Sequence, residues 1–150
     1  MTMFIGTYTS RLDDRGRLVF PSGLKSMMPL DGSMRFVVKK DLFQPCLQMF
    51  TLQEWEKQSE QIKSKLNFFN KDHANFWREY MRNRDVVEPD PKFGRILISK
   101  DLLDSIGAKK EVVFSGNDFL IEIWDKETFE SYSLPSEDYI AIAGKLPDNR

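Results

Sequence analysis

The sequence has few of the residues on which enzymes and metal sites most often depend. Of its 150 residues, one is a cysteine, Cys46, and one is a histidine, His73. A single cysteine excludes an internal disulfide and fits a reducing environment. One cysteine and one histidine also cannot make a zinc site without several carboxylates, and the sequence has no suitable cluster. We therefore predict no metal site.

Catalytic and cofactor motifs are missing as well. The chain has no Gly-x-Ser-x-Gly elbow, no phosphate loop with Gly-Lys-Ser/Thr and no dinucleotide fingerprint. His73 has no catalytic partner at useful spacing, so a polar surface or capping role is favoured over a general base. Cys46 falls in a predicted strand, where a buried apolar side chain is favoured over a reactive thiol. We expect no enzyme activity and no cofactor.

Long hydrophobic runs are also absent. No stretch reaches the roughly 18 apolar residues of a membrane span, and residues 1–6 lack the features of a secretion signal. Hydrophobic residues nevertheless make up 41% of the chain and aromatic residues 13%, which is enough for a folded core. We expect a cytoplasmic protein of one ordinary domain or two small fused half-domains.

The chain as a whole has no excess of either charge, but one segment does. The formal net charge is −1, which taken alone argues against nucleic acid as a partner. Residues 8–40, however, contain seven basic and three acidic residues. Acidic residues concentrate later, as in residues 125–138. The chain therefore combines a near-neutral whole with one basic segment.

An internal duplication is present. Residues 15–21 recur as residues 93–99, an offset of 78 that Leu24 and Leu102 also keep. Further matches follow at an offset of 74: residues 47–50 with 121–124, and Trp55 with Phe129. The shared order of strand, short helix, two strands and helix predicts a duplicated α+β architecture.

Each half predicts the same series of elements. The first half should contain an extended stretch (4–12), a turn (13–16), a strand (17–20), a short helix (22–28) and two further strands (35–39 and 46–50). A helix should then begin at Thr51, which forms a capping-box pattern with Glu54. The second should contain a helix over 100–106 between Ser99 and Gly107, strands over 111–114 and 119–124, and a helix capped by Asp125. Asn70 should start a helix between the halves. The predicted domains are a first repeat (1–69), a linker helix (70–85), a second repeat (86–132) and a loose C-terminal tail (133–150).

The turn Asp13-Asp14-Arg15-Gly16-Arg17 is the candidate functional feature. Asp13 can accept backbone N–H groups and pair with Arg17, and such a turn could serve stability alone. Two features favour DNA binding: the Gly-Arg pair returns as Gly94-Arg95, and the surrounding segment is basic. A carboxylate that holds a guanidinium at a fixed angle suits a bidentate contact to guanine O6 and N7.

Five motifs resemble the MraZ family in order and separation: residues 3–6, 12–18, 54–57, 94–98 and 121–126. The likeness covers about residues 3–132. It implies two tandem AbrB/MraZ-like swapped-hairpin β-barrel half-units with flanking helices, assembled into a ring-like homo-oligomer, an octamer or larger. It also implies a sequence-specific DNA-binding transcriptional regulator, located in the cytoplasm at the nucleoid. Such a regulator binds double-stranded DNA with tandem guanine-rich repeats ahead of the division and cell-wall gene cluster, its own gene included.

The family signature, Asp-x-x-x-Arg in each half, is matched unevenly. Asp13 and Arg17 match it fully. In the second half Arg95 matches, but Pro91 stands four residues before it and Asp90 is one residue off. Either Pro91 stiffness holds the second turn or that turn has lost some DNA contact. We therefore expect Arg95 to contribute less than Arg17.

These motifs give a set of expected site residues. The expected DNA-binding residues are Asp13, Arg15, Gly16, Arg17, Lys92, Gly94 and Arg95, with Lys25, Lys39 and Lys40 acting at most through phosphates. Some of Phe68, Phe69, Phe76 and Trp77 are expected at a subunit interface. The alternative is a non-DNA oligomeric scaffold or interaction module of the same fold, in which the arginine turns bind a protein or an anionic ligand.

Overall fold

The computed structural model describes residues 2–30 and 32–148. Met1 of the predicted first repeat, and Asn149 and Arg150 of the predicted tail, lie outside the described residues. In chain order the elements are β1 (Thr7–Arg11), β2 (Arg17–Val19), α1 (Ser22–Lys25), β3 (Phe36–Lys40), β4 (Leu47–Thr51), α2 (Leu52–Lys63), α3 (Lys71–Met81), β5 (Asp85–Val87), β6 (Arg95–Leu97), α4 (Lys100–Ser105), β7 (Glu111–Asn117), β8 (Leu120–Asp125), α5 (Lys126–Ser131) and α6 (Ser136–Gly144). The predicted α+β class is confirmed. Within these described ranges no helix has the length and apolar character that crossing a membrane requires.

Side-chain caps start four helices where the sequence predicts them. The capping side chains accept hydrogen bonds from backbone N–H groups two or three residues further on, and they belong to Thr51, Asn70, Ser99 and Asp125. Gly107 follows α4 with a φ of 65°, a conformation that glycine adopts without strain. Because capping satisfies N–H groups that would otherwise lack partners, the local sequence determines these helix boundaries.

The segment after residue 133 contains a helix, where the sequence suggests a loose tail. Pro135 precedes α6, and Glu137 and Asp138 lie in its first turn. A preceding proline and acidic residues near the positive end of the helix dipole both favour a helix start. Every residue of α6 is exposed, so its apolar side chains pack against no core of the described chain.

The two halves of the chain exchange strands. β1 of the first half pairs with β7 of the second, and β5 of the second pairs with β3 of the first. Together with the β4–β8 pair this gives an antiparallel six-stranded sheet in the order β1-β7-β8-β4-β3-β5. Replacing each strand by its repeat counterpart reverses this order onto itself. The sheet therefore has approximate two-fold symmetry, which confirms the swapped-hairpin arrangement, and it is open at β1 and β5 rather than closed into a barrel.

A second exchange joins β2 and β6 into a two-stranded antiparallel ribbon. Leu18 pairs opposite Ile96, and both side chains are buried in the main core. That core also contains Phe36, Leu47 and Phe114 from the large sheet. The ribbon is thus held on the sheet by apolar residues contributed equally by both halves.

The alternation along β6 gives a direct test of the fold. Ile96→Ala removes a fully buried side chain and should lower the free energy of unfolding by about 2–5 kcal/mol. Leu97→Ala, one residue along on the exposed face, should change it by no more than about 0.5 kcal/mol. Urea denaturation of both variants measures the difference. Equal losses would contradict this ribbon register.

Candidate nucleic-acid interface

The first arginine turn is organised by one carboxylate. Asp13 Oδ1 accepts hydrogen bonds from the N–H groups of Arg15 and Arg17, both at 2.9 Å. Asp13 Oδ2 accepts one from Arg17 Nε at 2.7 Å, so the pair is both an ion pair and a hydrogen bond. The Arg17 N–H is the main cause that holds the pKa of Asp13 below its usual value. The predicted Asp13–Arg17 pairing is confirmed, and the Arg17 guanidinium is fixed at one edge.

Gly16 is required in this turn for two reasons. Its φ is +82°, and a Cβ at this position would lie 2.8 Å from the carbonyl oxygen of Ile98. The carbonyl of Gly16 also accepts a hydrogen bond from the N–H of Ile98 at 3.1 Å. The counterpart contact, from the N–H of Phe20 to the carbonyl of Gly94, measures 2.9 Å. Each turn is therefore tied to the strand of the other half.

Asp90 holds the second turn and orients Arg95, so the reason for expecting less from Arg95 than from Arg17, an aspartate displaced by one residue, was wrong. Asp90 Oδ2 accepts hydrogen bonds from Arg95 N at 2.9 Å and from Arg95 Nε at 3.4 Å. Asp90 Oδ1 accepts from the N–H groups of Lys92 and Phe93. Asp90 N also donates to the Arg95 carbonyl at 2.9 Å, as Asp13 N does to the Arg17 carbonyl. A similar set of hydrogen bonds from one aspartate therefore holds each turn, and Pro91 is accommodated as an extra residue in the second loop.

The tip of the second turn carries an aromatic residue that the sequence analysis did not include. Phe93 is 55% exposed. The Lys92 ammonium and the Arg95 guanidinium lie over its ring, at 5.1 and 4.6 Å from the centroid. The exposed tip of the first turn instead carries Arg15. The two turns thus hold their arginines alike and differ at their tips.

Both turn arginines project from one face of the β2–β6 ribbon. Arg17 lies opposite Leu97, and Arg95 lies opposite Val19. Because Leu18 and Ile96 point into the core, these four residues occupy the outward face. Diagonal neighbours in such a ribbon have Cα atoms about 7–8 Å apart. The major groove of DNA admits a two-stranded β-ribbon, so this face has a suitable shape as well as suitable charges.

A basic groove adjoins the first turn. It is lined by five exposed basic side chains, Arg11, Arg15, Lys100, Lys109 and Lys110, and by three acidic ones, Asp13, Asp14 and Asp104. Three of the basic residues belong to the second half of the chain. They reach this place because β1 pairs with β7, with Arg11 opposite Glu111. Sequence reasoning missed them because the strand exchange that brings them together is a long-range contact.

The three lysines expected to contact phosphates are placed differently from one another. Lys25 is exposed and lines a cleft with Lys92 and Phe93 beside the second turn. Lys39, in contrast, is only 9% exposed. The ammonium of Lys40 donates to the carbonyls of Asp41 and Gln44, at 2.9 and 2.6 Å. We therefore withdraw Lys39 and Lys40 as phosphate ligands and retain Lys25.

The remaining chemical candidates have structural roles. His73 Nδ1 accepts a hydrogen bond from the N–H of Asn67, at 2.9 Å, in the loop between α2 and α3. Cys46 is fully buried, and burial is the main cause that raises the pKa of its thiol to about 12. Its Sγ lies near carboxylate oxygens of Asp41 and Glu122. Both carboxylates already accept hydrogen bonds from protein groups, Asp41 from the Phe43 N–H and the Gln48 amide, and Glu122 from the Trp124 indole N–H.

Known proteins resemble this chain over nearly its whole length. The family model described as MraZ protein matches residues 3–79 and 81–142, and each segment contains one arginine turn. A protein named transcriptional regulator MraZ from Christiangramia forsetii is 35% identical over 150 residues, or 99% of this chain and 96% of its own. One of that name from Flavobacterium psychrophilum is 36% identical over 130 residues, covering 87% and 82% of the two chains. Another, from Bacteroides thetaiotaomicron, is 32% identical over 146 residues, covering 97% and 93%.

The second turn makes a prediction about acid titration. Backbone hydrogen bonds, led by that of Phe93, lower the pKa of Asp90 from 3.8 to about 2. A lowered carboxyl pKa means that the network contributes stability above pH 3.8 and loses it as the pH falls towards 2. Carbon-13 NMR of the side-chain carboxyl groups should therefore find Asp90 still ionised at pH 3. A midpoint near 3.8 would mean that Asp90 does not hold this turn in solution.

Proposed function

The chain belongs to the MraZ family, and on that basis we propose that it is a sequence-specific DNA-binding transcriptional regulator. The relatives carry the name of a regulator and not of an enzyme, in keeping with the absence of catalytic motifs from the sequence. Their name also does not favour the alternative of a non-DNA scaffold. We further propose that the target is double-stranded DNA with tandem guanine-rich repeats ahead of the division and cell-wall genes, and that the protein acts in the cytoplasm at the nucleoid.

The observation that carries this proposal is the pair of carboxylate-held arginines on one ribbon face. In each turn the carboxylate engages Nε, at 2.7 Å for Arg17 and 3.4 Å for Arg95. A carboxylate at Nε orients the guanidinium and leaves its outer nitrogens available for a guanine edge. Asp13, Gly16, Asp90 and Gly94 then act by shaping the turns.

Residues around the ribbon supply phosphate contacts in this proposal. Arg15, Lys92 and the basic groove beside the first turn carry exposed cations at both ends of the ribbon. Phosphate contacts fix the position of a protein on the duplex, whereas base contacts give specificity. The near-neutral net charge is compatible with DNA binding because many copies of a modest basic patch, aligned on one assembly, add up to strong attachment.

Replacing the arginines separates these roles. Arg17→Ala and Arg95→Ala should each reduce the preference for the operator over scrambled DNA by about 5- to 150-fold, or about 1–3 kcal/mol, because each removes one base contact. Lys110→Ala should weaken binding to both DNAs alike and reduce the salt dependence. Fluorescence anisotropy at fixed salt, with DNA from upstream of the protein's own gene, measures both effects. The exposed Arg78 on α3 provides the control, Arg78→Ala, which should change neither.

Two outcomes would count against these assignments. Equal loss of operator binding and scrambled-DNA binding on Arg17→Ala would mean that Arg17 contacts phosphates and does not contact bases. No salt-dependent DNA binding by the unaltered chain would instead favour the scaffold alternative. The two results differ because only the second removes DNA as a partner.

We propose that the chain assembles into a ring-like homo-oligomer, an octamer or larger. Several apolar side chains are exposed to solvent. They lie in the loop between α2 and α3, on α3 and on α6, and include Phe68, Phe69, Phe76, Tyr139, Ile140 and Ile142. Contiguous exposed apolar surface is typical of protein interfaces, and contact between copies would remove these side chains from water. A surface that pairs with a different surface on the next copy produces rings when the rotation closes.

The mass in solution tests this assembly. Light scattering at micromolar concentration should give a mass well above that of a dimer. Phe69→Ala should shift it towards smaller species without loss of helix content, because Phe69 is fully exposed and supports no core of its own chain. The neighbouring change Lys71→Ala is the control. A monomer mass for the unaltered chain would contradict the proposal.

A further inference from the structure

A second cleft lies between β3, α3 and α4 and shares no lining residue with either arginine turn. Its volume is about 700 Å³, within the range of sites for small organic molecules. One wall is apolar and includes Leu42, Phe43, Ile62, Phe76 and Leu102. The rest of the lining is polar and includes four basic residues, Lys39, Lys40, Arg82 and Arg84, and three acidic ones, Asp41, Glu79 and Asp101.

Lys39 is a largely buried residue whose ammonium forms no salt bridge within the described ranges. Its ammonium makes no hydrogen bond or salt bridge to any residue in the described ranges, and its contact there is with the ring of Tyr80, 5.2 Å from Nζ to the centroid. The nearby carboxylate of Asp41 is already occupied by the N–H groups of Phe43 and Gln44 and by the Gln48 amide. Buried charges in proteins are ordinarily paired. The structure therefore leaves a charge that a ligand could neutralise.

Arg84 adds a second cation with an unused donor. Its Nε is buried and has no hydrogen-bond partner among the described residues. The guanidinium lies over the rings of Tyr80 and Trp55, at 5.0 and 5.9 Å, and one outer nitrogen donates to the carbonyl of Arg82. No described carboxylate forms a salt bridge with it.

The two cations also act on each other. Burial, and next the charge of Arg84, lower the pKa of Lys39 from 10.5 to about 8. Lys39 therefore remains mostly protonated at pH 7, beside a second positive charge in a partly apolar cleft. Two like charges in such a place are unfavourable until an anion binds both.

We propose that this cleft binds a small amphipathic organic anion. The free ammonium donors of Lys39 hold the anionic group, and the charge of Arg84 adds to its attraction. The apolar body packs against the wall that contains Phe43 and Phe76. This site is independent of the DNA-binding ribbon, so it holds whether or not the ribbon binds DNA.

A fluorescent probe of this chemistry tests the proposal on the full chain. The probe is 1-anilinonaphthalene-8-sulfonate, an aromatic body with one sulfonate, titrated at pH 7. Lys39→Met keeps the length of the side chain and removes its charge, and it should weaken binding by about tenfold or more, as expected for loss of a charged hydrogen bond. The variant should stay folded, because methionine suits a buried position better than an unpaired ammonium does. Lys57→Met, on the exposed face of α2, is the control and should bind the dye unchanged.

A neutral dye separates anion recognition from simple apolar binding. N-phenyl-1-naphthylamine has the same body without the sulfonate, and it should bind more weakly and be insensitive to Lys39→Met. Equal binding of the sulfonate dye by the unaltered chain and by Lys39→Met would overturn the proposal. Absence of dye binding by the unaltered chain would also overturn it. A changed mass of Lys39→Met in light scattering would then indicate that an acidic segment of a second copy fills the cleft.

Discussion

Burial of Leu18 and Ile96 opposite one another is the constraint on which the outward face of the ribbon depends. Side chains in a strand alternate between its two faces, so anchoring this pair in the core directs Arg17 and Arg95 to solvent. A slip of one residue would bury both guanidinium groups and expose both apolar side chains. The position of the arginines is therefore specified by the hydrophobic core, and the two aspartates only adjust their orientation.

The sequence predicts what local interactions decide. The helix starts at Thr51 and Ser99 could be predicted from the sequence, because these side chains accept hydrogen bonds from N–H groups only three residues away. The order of elements followed from the repeat. The spacing argument failed at Asp90 because it counted residues along the chain, whereas the distance between carboxylate and guanidinium is set by pairing. Asp90 and Arg95 are joined through their backbones, so one extra residue extends the loop without separating them.

Charge was the feature that the sequence described least well. In the sequence, basic residues concentrate in residues 8–40, but the Lys39 side chain of this segment is buried and the Lys40 ammonium donates hydrogen bonds to carbonyls. The groove beside the first turn draws instead on Lys100 and Lys110, which are distant in sequence. Strand exchange between the halves determines which charges become neighbours, and a linear count of residues carries no information on that exchange. The exposed helix α6 was missed for a different reason. A helix that packs against nothing does not need apolar residues at helical spacing, so its sequence lacks the pattern that predicts a helix.

The second turn is one residue longer than the first, so the two ends of the ribbon differ. Two identical chains that exchanged strands in this way would present identical loops, and their target would have to be a palindrome. Here both loops belong to one polypeptide, so one can carry Arg15 at its tip while the other carries Phe93. A duplex bound by such a ribbon meets a different loop at each end. In the proposed DNA complex, the covalent link between the halves allows the two loops to differ, so the bound site does not have to be a palindrome.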